Sequence, residues 1–271
     1  MEKTTIIAAT DFSDNANHAV EFAADFAMSI NAKLVIFNAV SVQPLLYDDA
    51  MPLTLWDDMK HSSNSYLLNV KEEMIRHSKG QLKIDTREEV GLVNHELQHL
   101  CVQEKPFAIF ISSHLTSIPE KILIGTHSIK IAKSNYAPVI IIPESENFKP
   151  VRKIGIAVDI KDKDEFPFNV LKERLKYLRS EIEIVYIRQN HDMLCKNDVA
   201  DVLDKLPGFN PKLRIIENKN IAEGIDEYVN DYAPDMLVIY SKKHGLFHKS
   251  ISNPFILQPQ VPTMIISQTT K

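Results

Sequence analysis

Residues 94–101 read NHELQHLC, and within them His95-Glu96-x-x-His99 has the spacing of a zinc protease. Two imidazoles four residues apart share one helical face and can hold one metal, and the glutamate beside them can take a proton from metal-bound water. That chemistry needs a helix that turns all three side chains into a closed site. At 100° per residue, Val93, Leu97, Leu100 and Cys101 form the stripe that must face a core, which leaves His95 and His99 on the solvent side. A catalytic zinc also needs a third protein ligand and a dry cavity. The following segment, LCVQEKPFAIF, has no Gly-x-x-His, and Glu120 lies beyond a buried strand. The expectation is an exposed histidine pair, with no catalytic role and no required metal.

A second set of residues points to anion chemistry. The apolar run at 6–11, IIAATD, ends in Thr10 and Asp11. Further on, Gly125, Thr126 and Ser128 in GTHS open a helical segment, where free N–H groups and hydroxyls suit an anion. His114 and His127 flank that region and read as polar loop residues. Trp56, in MPLTLWDDMK, reads as a packing or interface anchor. No Ser-His-Asp arrangement, Walker loop or metal-spaced cysteine set is present.

These residues must be positioned by elements that the chain writes twice. IIAATD (6–11) pairs with IGIAVD (154–159), PFAIFIS (106–112) with PDMLVIY (234–240), and APVIIIP (137–143) with VPTMIIS (261–267), in the same order. Short apolar runs without alternation are strands buried on both faces, as in a parallel sheet. The spacing predicts strands near 4–9, 34–40, 82–89, 107–112 and 138–142, and again near 153–158, 182–187, 212–217, 235–240 and 262–266. Between them, SDNANHAVEFAADFAMSI places Ala16, Ala19, Val20, Ala23, Phe26, Ala27 and Ile30 on one helical face, capped by Ser13 or Asp14. The class is therefore α/β: two tandem, doubly wound, five-stranded parallel-sheet domains, 1–146 and 147–271, joined by ESENFKP. With strand order 3-2-1-4-5, a ligand would sit beyond strands 1 and 4. The second copy lacks a counterpart to the segment around 41–65.

The totals exclude several classes. The chain has 271 residues, 44% hydrophobic and 25% charged, with a net charge of −5. Its first half is acidic and its second slightly basic, so neither suits nucleic acid. Two cysteines, Cys101 and Cys195, fit a reducing compartment. The start, MEKTTIIAATDFSD, shows no signal peptide, and the apolar runs are too short to span a bilayer. The expectation is a cytoplasmic protein with no nucleic-acid or membrane partner.

AATDFSDNANHAVEFAADFA, the Gly-Thr-x-Ser at 125–128 and the closing APVIIIP resemble the universal stress protein family, and the whole chain resembles its tandem members. The resemblance implies a flavodoxin-like domain, also described as adenine nucleotide alpha hydrolase-like. In one branch of the family it implies ATP binding through Gly-x2-Gly-x9-Gly-Ser/Thr. Here Ser112 and Leu115 stand at the first two glycines, while Gly125, Thr126 and Ser128 keep the end of the motif. Asp11 matches the family's aspartate near the adenosine, and Val40 matches a position lining the adenine. The first domain is thus the one that would take ATP or another anion. In the second, Asp159 remains, but Tyr240 and Lys249 replace glycines and the loop is shorter, so nucleotide binding is expected to be lost. Lys242, Lys243, His244, His248 and Lys249 there read as a solvated cationic loop. The resulting expectation is a stress-response binding or regulatory protein, not an enzyme. It would pair with itself as a pseudo-dimer within the chain, form a homodimer or meet another protein. The alternative is a nucleotide-independent tandem domain acting through its surfaces, and a remote one is a hydrolase.

Overall fold

The computed structural model describes residues 4–40, 53–113, 130–134, 136–189, 195–241, 255 and 258–267, with only the backbone path given for 53–61. The chain divides into two compact units, Met1–Ser112 and Ser113–Lys271.

The first unit follows the expected alternation: β1 (Thr5–Ala9), α1 (Asp14–Ser29), β2 (Lys33–Val40), α2 (Leu53–His77), β3 (Ile84–Val90), α3 (Val93–Glu104) and β4 (Ile109–Ser112). Its strands lie in the order β3-β2-β1-β4. All are parallel, with Ile7 level with Val35 on one side and Ile109 on the other. β1 is fully buried at Ile6, Ile7 and Ala8, as a strand covered on both faces must be.

Helix α1 buries the predicted face. Ala16, Ala19, Ala23 and Ala27 let it approach closely, and Phe22 and Phe26 fill the remaining space; Ile30 instead becomes the C-terminal cap. Phe26 packs on Phe107 and Phe110 with ring centroids 5.5 and 5.1 Å apart, and Phe22 meets Phe110 at 6.5 Å. Each such aromatic pair adds about 0.5–1.5 kcal/mol beyond burial, so α1 is fixed over β4. Helix α2 runs for 25 residues, while its counterpart in the second unit, Lys196–Asp204, has 9. Of the extra sequence expected around 41–65, the described part, 53–65, belongs to this helix. His77 at its end clips it to α1, with Nε2 2.7 Å from Asp25 Oδ1.

The second unit begins with β5 (Val139–Ile142) and repeats the alternation: β6 (Lys153–Ala157), a 3-10 turn (Ile160–Asp162), α4 (Phe168–Leu175), β7 (Glu181–Arg188), α5 (Lys196–Asp204), β8 (Lys212–Glu217), α6 (Ile221–Tyr232), β9 (Met236–Ser241) and β10 (Thr263–Ser267). The order is β5-β10-β9-β6-β7-β8. Its last five strands reproduce 3-2-1-4-5, and β5 pairs antiparallel with β10, with Ile140 level with Met264. That ladder brings β5 into the second compact unit, so the division falls at 112/113, whereas the sequence repeat divides the chain at 146/147.

The second unit has a buried charged centre. Glu183, 3% exposed, accepts from the Tyr228 hydroxyl at 2.9 Å and from Arg214 at 2.6 Å, with Lys153 at 3.6 Å. Tyr228 is fully buried and stacks on Tyr232 at 5.4 Å. A Cβ on Gly155 would sit 2.5 Å from Tyr228 Cε1, so only glycine fits there. Burial alone would raise the Glu183 carboxyl, but the bonds from Arg214 and Tyr228 outweigh it and hold the group below its usual range. A carboxyl depressed on folding stabilises above the ordinary carboxylate pKa, and that contribution disappears as pH falls through its folded value. Glu183→Ala should cost about 3 kcal/mol by leaving the buried Tyr228 hydroxyl and the Arg214 guanidinium without their acceptor, while Lys153 keeps its bond to the Tyr232 carbonyl at 2.9 Å, and Gly155→Ala about 1–3 kcal/mol by overpacking. Chemical denaturation at pH 7 and pH 4 checks both, and the Glu183→Ala penalty should shrink at the lower pH.

Candidate functional site

The chain leaves β1 through a tightly bonded turn. Thr10 N–H still donates to the Phe37 carbonyl at 2.9 Å, as a last ladder bond. Its hydroxyl then accepts from Phe12 N–H at 2.9 Å. Asp11 Oδ1 accepts from both the backbone N–H and the hydroxyl of Ser13, at 3.1 and 2.6 Å. Ser13 in turn caps α1 by accepting from Ala16 N–H, so serine rather than Asp14 is the cap. Phe12 sits at φ 66°, a left-handed conformation that costs a bulky residue about 1–2 kcal/mol. The Thr10 hydroxyl, the Asn17 amide on the Phe12 carbonyl at 3.4 Å, and the Tyr66 ring 5.6 Å away hold it there.

A buried relay ties this turn to its neighbours. Asn38 of β2 donates to the Thr10 carbonyl at 2.8 Å, and Ser63 of α2 donates to Asn38 at 3.0 Å. Thr10, Asn38 and Ser63 are 6–8% exposed, so these bonds are shielded from water. Asn38 shows in the sequence as the one polar residue within the run LVIFNAV. Its partners do not, because Ser63 lies on a separate helix. Phe12 and Tyr66 carried no signal at all.

The predicted site residues are brought together in part. Continuing the β1–β4 register, in which Ala8 faces Phe110, sets Thr10 level with Ser112. Ser112 is buried. Asp11 is exposed at the mouth. Val40 ends β2 and is 8% exposed, with its carbonyl accepting from Gly91 N–H at 3.1 Å. Gly125, Thr126 and Ser128 lie outside the described residues, as do Leu115, His114, His127 and the cationic loop 242–250. Trp56 lies on the path of α2, without a described side chain.

In the second unit, Asp159 Oδ1 accepts from Lys161 N–H at 3.0 Å and starts the 3-10 turn. Both copies thus use the aspartate after their first strand to shape a turn.

At the opposite ends of the first unit's strands, Thr4, Thr5, Lys33, Lys83, Gln103, Glu104 and Lys105 line a cleft of about 580 Å³. There Lys33 donates to Glu104 at 2.6 Å, and the Thr5 hydroxyl donates to the same carboxylate at 3.2 Å. The Lys33 bond holds that carboxyl below its usual range. This is an ion-paired strand start, remote from the switch point where parallel sheets take ligands.

Helix α3 is oriented as its stripe requires. Leu97, Leu100 and Cys101 are buried, while His95 and His99 are exposed. Burial pushes the Cys101 thiol up to about 12, which leaves it an inert core residue.

Residues 3–143, more than half of the chain, match the family model described as the universal stress protein family. The chain belongs to that family. A universal stress protein from Archaeoglobus fulgidus DSM 4304 superposes on this one with a TM-score of 0.73 at 16% identity, covering 99% of this chain and 97% of the other. A universal stress protein from Pseudomonas aeruginosa UCBPP-PA14, so described only provisionally, gives 0.55 at 11% identity, covering 98% and 93%. At those identities the likeness establishes the fold, which here is flavodoxin-like over both repeats. A further universal stress protein, solved in complex with cAMP, aligns at 0.42 and 22% identity over 54% of this chain and 100% of its own. No curated protein matched the chain. Among the described residues of this universal stress protein, no helix is long and apolar enough to cross a membrane.

The turn makes a direct prediction. Thr10→Val keeps the shape of the side chain but removes the acceptor for Phe12 N–H. It should cost about 1–2 kcal/mol, read as a lower urea midpoint with an unchanged slope. Phe12→Gly in that background should recover part of the loss, because glycine takes φ 66° without strain.

Proposed function

We propose that this universal stress protein is a stress-response binding protein whose first repeat takes ATP or a related anion at the end of β1, and that it works by binding and not by catalysis. The observation that carries the reading is the placement of β1. It lies in parallel between β2 and β4, so its end is a switch point, where a crevice opens outside the strands. Thr10 and Asp11 stand there, with Val40 at the end of the next strand as an apolar wall for a base. Asp11 would accept from a ribose or base, and Gly125, Thr126 and Ser128 would hold the phosphate at a helix start. The second repeat would bind no nucleotide. In this reading the protein acts in the cytoplasm, with its own second copy or another protein as partner.

A second reading has its own support. Ser112 and Leu115 replace glycines that would let a backbone approach phosphates, and Asp11 already accepts twice from Ser13. On that reading the protein is nucleotide-independent and acts through its surfaces.

Calorimetric titration with ATP and Mg²⁺ separates the two. The first reading predicts micromolar binding that Asp11→Ala and Gly125→Val abolish and Asp159→Ala leaves untouched. Absence of heat at millimolar ATP, with binding restored in Ser112→Gly/Leu115→Gly, identifies a site closed by its lost glycines. Silence in that double variant too would refute the placement of the ligand site on 112–128.

A further inference from the structure

The His95, Glu96 and His99 cluster is chemistry that the proposed ligand site leaves unused. Each side chain offers a donor atom, and the three atoms lie within 4.8 Å of one another. The two imidazole rings are 4.4 Å apart between centroids, and His95 Nδ1 stands 3.1 Å from Glu96 Oε1. Two donors bound at about 2.0–2.1 Å to a tetrahedral ion are about 3.4 Å apart. The His95–Glu96 pair is thus already close to a chelating separation. His95 is 61% exposed, so its ring can turn to bring the third donor in.

The carboxylate is held in place more firmly than the rings. Glu96 is 19% exposed and lies across Gly91, where a Cβ would sit 2.8 Å from Oε1. Gly91, at φ 151°, leaves room for that carboxylate. The helix itself fixes the spacing of His95 and His99, so chelation orders only side-chain torsions.

We propose that His95, Glu96 and His99 form a solvent-facing site for a divalent transition metal of the zinc class, completed by water. Two nitrogen donors favour zinc, nickel or copper over magnesium and calcium. The entering ion takes the Nδ1 lone pair of His95, the single proton of the neutral ring moving to Nε2, and the Glu96 carboxylate turns from hydrogen-bond acceptor to ligand. The site lacks the closed cavity that peptide hydrolysis requires, so it binds metal without protease chemistry. It is independent of whether the first repeat takes a nucleotide.

The test is a calorimetric zinc titration of the untagged full-length chain, with magnesium for comparison and cobalt absorption as a second readout. The expected result is a saturable zinc site without a magnesium equivalent. Its affinity falls by about tenfold or more in His99→Ala and in Glu96→Gln. One equivalent is lost in His95→Ala/His99→Ala and retained in His77→Ala, whose imidazole bonds Asp25. Cobalt gives d–d bands that disappear in the double histidine variant, with no thiolate-to-metal band from that equivalent. Matching far-ultraviolet circular dichroism confirms that the exposed substitutions leave the fold intact. Zinc stoichiometry unchanged in the double variant, a thiolate signature for the lost equivalent, or no saturable binding at millimolar zinc overturns the proposal.

Discussion

Strand β1 is hydrogen-bonded in parallel on both sides and buried on both faces, and the first unit is organised by that constraint. A parallel neighbour can be reached only by a crossover, so the chain covers one face with α1 on its way to β2 and returns to the other side of β1 through α3 and β4. The two directions part at the end of β1. Residues 10–13 must therefore end a strand, turn and start a helix in four positions. Thr10, Asp11 and Ser13 commit their side chains to that turn, and Phe12 accepts a strained φ because its neighbours bond both its N–H and its carbonyl. The aromatic packing of Phe22 and Phe26 on β4 keeps the start of α1 at the mouth.

The second unit meets the same constraint with different chemistry. β6 lies between β7 and β9 and is followed by Asp159, again accepting from the backbone two residues on. Its main polar cluster lies towards the starts of β6, β7 and β8, where Glu183, Tyr228, Arg214 and Lys153 converge over Gly155. Both copies thus place a polar turn after their first strand, and the second adds a cluster around the buried Glu183.

Most strands were legible because burial on both faces leaves continuous apolar runs, whereas β3 and β8 are largely polar and exposed and were placed by the order of the repeat; all ten lie within a few residues of their expected positions. The α3 stripe was legible for a related reason: a helix on a sheet must bury one face, so the side of His95 and His99 followed from Leu97, Leu100 and Cys101. Long-range polar partners left no such trace. Asn38 stood out as polar within an apolar run, but nothing in the sequence paired it with Ser63 and Thr10. Glu183 likewise gave no hint of Tyr228, 45 residues away. The antiparallel seating of β5 on β10 was also hidden, because a short apolar run such as VIII reads the same whichever neighbour it takes and in whichever direction. In the candidate site, the family resemblance supplied the positions, and the sequence could not show that Asp11 already holds the residue that caps α1.

The central claim is that ligand binding belongs to the end of β1 in the first repeat and not to its counterpart in the second. Amide chemical-shift mapping of the labelled full-length protein during titration with ATP and Mg²⁺ tests it most directly. The account predicts saturating shifts at Thr10–Ser13, Val40 and 125–128, with 158–161 of the second repeat unmoved. Saturating shifts confined to 158–161 and the 240–252 loop would contradict it.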